Sequence, residues 1–115
     1  MMEKKKVVVV AGTRPEVIKM ASVYMELQRS DLLEPVFLST GQHREMLAQA
    51  FGAFNLAPDH DLKLMKPGQD LTGLTARVLQ AVGTYLEETR PDAVLVQGDT
   101  TSVLASAMAA FYQNI

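Results

Sequence analysis

Three short segments carry residue types from which a reactive or ligand-binding site could be built: Gly12-Thr13-Arg14-Pro15-Glu16, Thr40-Gly41-Gln42-His43-Arg44 and Gly98-Asp99-Thr100-Thr101. In the first, Gly12 lets the backbone come close to a ligand, and Pro15 fits the first turn of a helix. The start of that helix favours anions through its free N–H groups and its dipole. Arg14 adds a planar fork suited to a phosphate, and Lys19 follows a turn later. The combination suits a diphosphate or a sugar attached to one. The same residues also read as a tight turn with a solvated arginine, and Lys19 falls on a polar stripe. The segment is neither a Walker loop nor Gly-x-Gly-x-x-Gly, so a nicotinamide cofactor is disfavoured.

In the second segment Gln42, His43 and Arg44 offer donors and one titratable ring; alternatively Thr40 caps a helix and His43 is a polar first-turn residue. In the third, Asp99 could act as a base, a metal ligand or a phosphate acceptor, or it could simply cap a helix, the commonest role for such a residue. Asp59, His60 and Asp61 form a dense polar cluster that could meet a cation, but a sequence-local trio without a fourth ligand reads more simply as a solvated loop. The absence of cysteine excludes disulfides, thiolate metal sites and thiol nucleophiles. With only two histidines, His43 and His60, a structural zinc site is disfavoured.

The elements that must position these segments follow from the hydrophobic pattern. Val7–Val10 is β-branched without alternation, as in a strand covered on both faces of a parallel sheet. Val17, Met20, Ala21 and Tyr24 recur at helical spacing, with Lys19, Ser22, Glu26 and Arg29 on the polar face. Pro35–Ser39 reads as a second strand, followed by a helix with Leu47, Ala50, Phe51 and Phe54 on one face. An irregular stretch holds a short strand at Leu62–Met65. Asp70 caps a third helix with the stripe Leu71, Leu74, Val78, Val82 and Tyr85, which Arg90-Pro91-Asp92 ends. Ala93–Val96 is a further buried strand. The last helix, Ser102–Tyr112, is apolar nearly all round and should be buried on more than one side. Alternating strands and helices predict an α/β, doubly wound parallel sheet. Ligands of such a sheet bind beyond the carboxyl ends of its strands, where all three segments fall.

The 115 residues allow one domain of ordinary size. Apolar residues make up 48% and charged residues 21%, a globular composition. A net charge of −2 provides no general basic footprint for nucleic acid. No apolar run approaches the roughly 18 residues of a membrane span, and the five apolar residues after the basic start are too few for a signal peptide. A cytoplasmic protein is expected. The chain stops just after an apolar helix, as the front part of a longer protein would.

Taken together, the segments resemble one family. Gly12-Thr13-Arg14-Pro15-Glu16 with Ile18-Lys19-Met20 is similar to the opening of the non-hydrolysing UDP-N-acetylglucosamine 2-epimerases. Gln42-His43-Arg44-Glu45-Met46-Leu47, Pro58-Asp59 with Asp61-Leu62, Pro67-Gly68-Gln69, Pro91-Asp92 through Val96, and Gly98-Asp99-Thr100-Thr101 match its next blocks in order. The likeness runs from Val7 onward and extends to Ala109-Ala110-Phe111-Tyr112.

The resemblance implies a Rossmann-like N-terminal half of a two-domain GT-B-type fold, with the active site between the halves and the C-terminal domain absent from this chain. It implies interconversion of UDP-N-acetylglucosamine and UDP-N-acetylmannosamine by C2 proton removal, anti elimination of UDP and re-addition, serving cell-envelope polysaccharide synthesis. No cofactor, nicotinamide or metal is implied. Arg14 and Lys19 would be active-site cations, Asp99 an active-site carboxylate, and Gly12 part of the substrate turn. Gln42, His43 and Gln69 match positions that bind a second, allosteric UDP-N-acetylglucosamine in some bacterial members. Glu45 and Gly68 stand where some of those have glutamine and arginine. Family members are often homodimers. The 115-residue piece alone is expected to be inactive. A related UDP-sugar hydrolase or glycosyltransferase half is the neighbouring alternative. A receiver-like domain phosphorylated on Asp99 is a more distant one, since Gly12-Thr13-Arg14 stands where its early acidic pair belongs.

Overall fold

β1 (Lys5–Ala11), α1 (Arg14–Gln28), β2 (Leu33–Ser39), α2 (Arg44–Ala53), β3 (His60–Asp61), α3 (Leu71–Thr89), β4 (Ala93–Leu95) and α4 (Thr101–Tyr112) succeed one another along residues 3–115, the part of the chain that the computed structural model describes. The strands form one parallel four-stranded sheet in the order β3-β2-β1-β4. Val8 and Val10 face α3 and α4, meeting Leu74, Val78, Val82, Leu86, Ala105 and Ala109. Val9 and Ala11 face α1 and α2, meeting Val17, Met20, Tyr24, Leu47 and Phe51. The unbroken valine run is thus a strand alternating between two cores. Full burial of each of these valines contributes roughly 1.5–3 kcal/mol.

The helix stripes of α1 and α2 bury the residues their spacing selects, except that Phe54 ends α2 half-buried. In α3 the Asp70 carboxylate accepts the Gly73 N–H at 2.7 Å, the expected cap. Arg90 ends that helix in the left-handed conformation, φ 45°. Leu71, expected in the stripe, is exposed, and Leu86 is the buried residue at the far end beside half-buried Tyr85.

Four expectations need correction. The short strand lies at His60–Asp61, not Leu62–Met65, because Lys63 turns into the left-handed region at φ 54° and breaks the extended run. The polar cluster around it builds the fold. Asp59 Oδ2 accepts from the Tyr24 hydroxyl at 2.8 Å and from the Phe37 N–H at 2.7 Å. The His60 ring stacks on Tyr85 with centroids 5.0 Å apart. β4 is half-buried, because it is an edge strand with a neighbour on one side only among the described residues. α4 buries one face, Ser102, Ala105, Ser106, Ala109 and Ala110, whose small side chains let it pack against α3 and β1. Leu104, Phe111 and Tyr112 on its other face are exposed.

Candidate functional site

The strand order puts β1 between β2 and β4, so the turn after β1 sits between the turns that follow the other two. Ala11 is level with Ser39 and Val9 with Leu95, so the three strands end along one edge of the sheet. The chain moves outward from β1 through β2 to β3, then returns to place β4 on β1's other side. That reversal opens a crevice between the first and third turns.

Two hydrogen-bonded groups tie the turns together. Glu16, only 3% exposed in the first turn of α1, accepts the Gly12 N–H on Oε1 at 2.8 Å. Its Oε2 accepts the Thr100 hydroxyl at 2.5 Å, joining the first turn to the third. Burying a carboxylate is costly unless both oxygens are partnered, and here both are. The second group is a closed cycle. Ser102 Oγ donates to Gln42 Oε1 at 2.6 Å, Thr40 Oγ1 lies 3.3 Å from Ser102 Oγ, and the Gln42 N–H donates to Thr40 Oγ1 at 3.4 Å. Because the single Ser102 proton goes to Gln42, the Thr40 hydroxyl is the donor to Ser102. This cycle joins the second turn to the third.

Backbone conformation supports the arrangement. Gly98 has φ 123°, a value side-chain-bearing residues rarely adopt, and a Cβ there would lie 3.7 Å from the Glu16 carboxylate. The third turn therefore lies directly against the first.

Arg14 and Asp99 both stand on this rim, Arg14 two residues before Glu16 and Asp99 one residue before Thr100. Both are exposed, as is Lys19 one turn further along α1. Among the described residues none of the three takes a hydrogen bond or an ion pair within the fold. Asp99 is not the cap of α4. Thr100 holds the cap position, its hydroxyl accepting from the Val103 N–H at 3.4 Å. Nor does Thr40 cap α2, whose cap position is His43, without a side-chain bond. The structural roles that competed for Asp99 and Thr40 in the sequence are filled by other residues or by other contacts.

Gln42, His43 and Gln69 are not brought into one contact. Gln42 is engaged with Ser102, whereas His43 lines a groove of about 420 Å³ with Met46 and Met65. Gln69 lines a separate cleft of about 260 Å³ with Lys66 and Arg77 at the start of α3. A further groove of about 450 Å³, at Val23, Leu27 and Leu33, lies at the far end of α1 from the three turns.

The sequence reading missed the role of Glu16, Thr100 and Ser102. A signal for Glu16 was present, since Thr13-x-x-Glu16 is the spacing of a capping box. The structure uses it differently: Thr13 makes no side-chain cap, and Glu16 reaches past it to Gly12. For Thr100 at the cap of α4 and Ser102 in its first turn, nothing local signals a contact with another loop. Among the described residues no group of three or more His, Asp or Glu could hold a metal ion, and no helix is long and apolar enough to cross a membrane.

Residues 25–115 match the family model described as UDP-N-acetylglucosamine 2-epimerase. The chain belongs to that family. The UDP-N-acetylglucosamine 2-epimerase of Escherichia coli K12 is 50% identical to it over 110 residues, 96% of this chain and 29% of that protein. A crystal structure of a UDP-N-acetylglucosamine 2-epimerase superposes with a TM-score of 0.92 at 43% identity, covering 98% of this chain and 32% of the other. The Neisseria meningitidis UDP-GlcNAc 2-epimerase, solved bound to UDP-GlcNAc, gives a TM-score of 0.90 at 47% identity over 96% of this chain and 30% of that one. This epimerase-family chain thus spans about 30% of the length of these relatives. Membership bears out the resemblance and the α/β fold class, and it displaces the receiver-like alternative.

Proposed function

We propose that this chain forms one wall of the active-site cleft of a UDP-N-acetylglucosamine 2-epimerase, as its N-terminal Rossmann-like domain, the opposite wall coming from a C-terminal domain. The observation that carries the reading is the joining of three loops at one sheet edge, with Arg14 and Asp99 exposed beside the joint. The substrate is a UDP-N-acetylhexosamine, and the reaction interconverts the gluco and manno forms. A base takes the C2 proton, the electron pair forms the C1–C2 double bond, and the C1–oxygen bond to UDP breaks with its electrons leaving on the diphosphate. UDP then adds back at C1, and a proton returns to C2 on the opposite face. Arg14 and Lys19 supply positive charge toward the departing diphosphate. Asp99 is the carboxylate this chain offers for proton transfer.

The same reading includes an effector UDP-N-acetylglucosamine held by Gln42, His43 and Gln69, a homodimeric assembly and a cytoplasmic site of action in cell-envelope polysaccharide synthesis. The test is incubation of a full-length enzyme carrying this segment with UDP-N-acetylglucosamine in D2O, followed by NMR. The expected product is UDP-N-acetylmannosamine deuterated at C2, with UDP still attached. Stoichiometric free UDP would instead identify a UDP-sugar hydrolase or transferase. The 115-residue chain alone is expected to give no turnover in the same assay.

A further inference from the structure

Glu16 is the one charged side chain buried among the described residues, and the chemistry proposed above does not use it. It points between two loops that are separate in sequence and both needed at the cleft. Its two oxygens take the Gly12 N–H and the Thr100 hydroxyl, and at 3% exposure it is turned into the fold rather than toward a ligand. Each partner adjoins a residue of the site. Gly12 is two residues from Arg14, and Thr100 follows Asp99 directly. The carboxylate therefore sets the spacing between the cation that faces the diphosphate and the carboxylate that faces C2. We propose that Glu16 is a positioning residue of the reaction, whose bridge from Gly12 to Thr100 holds Arg14 and Asp99 across one crevice.

The rest of the local structure fits this role. Gly98, with no side chain and a φ of 123°, lets the third turn come up against Glu16. Thr100 caps α4 with the same oxygen whose proton it gives to Glu16, so the bridge also fixes where α4 begins. The Ser102 cycle bonds the second turn to α4, whereas the Glu16 carboxylate bonds the two segments, at Gly12 and Thr100, that carry Arg14 and Asp99. Misplacing reacting groups by about 1 Å can cost on the order of a hundredfold in rate, so loss of the bridge should show in turnover.

The proposal rests on the epimerase reading, and the experiment separates the two. A full-length enzyme carrying this segment is assayed with UDP-N-acetylglucosamine as Glu16→Ala, Glu16→Gln, Thr100→Val and the double variant Glu16→Ala/Thr100→Val. Rates are read well below each variant's melting midpoint. Glu16→Ala and Thr100→Val are each expected to lower kcat by about a hundredfold with KM within about twofold, and the double variant to be no slower than the slower single. Glu16→Gln should recover most of the rate, because its amide oxygen still takes the Gly12 N–H and its NH2 group can donate to the Thr100 oxygen. Should Glu16→Ala prove unable to fold, Glu16→Gln and Thr100→Val carry the comparison. Turnover by the unsubstituted enzyme with Glu16→Ala or Thr100→Val at full kcat overturns the proposal alone. A Glu16→Gln variant as slow as Glu16→Ala also overturns it, by making the charge rather than the bridge the requirement. No epimerisation by the unsubstituted enzyme removes the reading and the proposal together.

Discussion

The hydroxyl of Ser102 occupies the space that a side chain on Gly12 would need. A Cβ built on Gly12 falls 2.1 Å from Ser102 Oγ, 2.6 Å from Ser102 Cβ and 2.7 Å from Thr40 Oγ1. All three atoms belong to buried residues, Thr40 in the turn after β2 and Ser102 in the first turn of α4. Gly12→Ala should therefore cost about 1–3 kcal/mol by overpacking, read as a lower urea midpoint of a full-length enzyme carrying this segment. Ser102→Ala should not relieve the clash, because the Ser102 Cβ alone is too near. Ser102→Gly should relieve part of it. An unchanged midpoint for Gly12→Ala would mean that the loops are not packed as described.

Arg14, Lys19 and Asp99 give the opposite pattern. Each is exposed and makes no hydrogen bond or ion pair among the described residues, so its removal should leave the fold alone. Asp99→Asn is expected to lower kcat by about 10²–10⁴-fold, the range for loss of a positioned proton-transfer group. Arg14→Ala and Lys19→Ala are expected to fall by about a hundredfold or more, through weaker stabilisation of the leaving diphosphate. Melting midpoints of all three should stay within a few degrees of the parent. If all three kept normal rates, the assignment of the crevice would be wrong.

The tie between α1 and β2 predicts a pH dependence. Burial, and then the hydrogen bond to Asp59, push the Tyr24 hydroxyl from 10.0 up to about 12. The Tyr85 hydroxyl moves the same way, through burial and then the charge of Asp59. A raised folded-state value means that the protonated phenol is favoured by folding. Its contribution is whole below the unfolded value and is lost as pH climbs through the folded one. Stability attributable to Tyr24 should thus fade between pH 10.0 and about 12. Tyr24→Phe should be less stable than the parent at pH 8, and the gap should narrow across that window in urea unfolding.

At the start of α3 the effect is simpler. Asp70→Ala removes the acceptor of the Gly73 N–H and should cost about 1 kcal/mol, while Asp70→Ser should retain most of it. Chemical denaturation of the two variants measures the difference.

These elements differ in how far the sequence declares them. The valine run, the α1 stripe and the Asp70 cap are local signals, and each is found where its spacing places it. β3 was misplaced because no local pattern defines it. A carboxylate bound to Tyr24 and Phe37, and a left-handed lysine, settle where its two residues pair. The exposure of Leu104, Phe111 and Tyr112 could not be read from composition, because an apolar helix face has no address until its neighbours are known. At the candidate site the exposed residues are legible as motif, whereas the spacing of Glu16 suggests a local cap and not its contact with Thr100. An acid in a first helical turn ordinarily needs no partner beyond the helix itself, and only the third dimension shows that this one is a bridge.

The brevity of β3 has a consequence for how these molecules meet one another. An unpaired strand rim is a template on which a second chain can add, and short or kinked rims with lysine discourage it. With two paired residues followed by a left-handed Lys63, that flank of the sheet offers almost no surface for such growth. Mistaken strand addition at that flank is discouraged by the geometry of the chain itself.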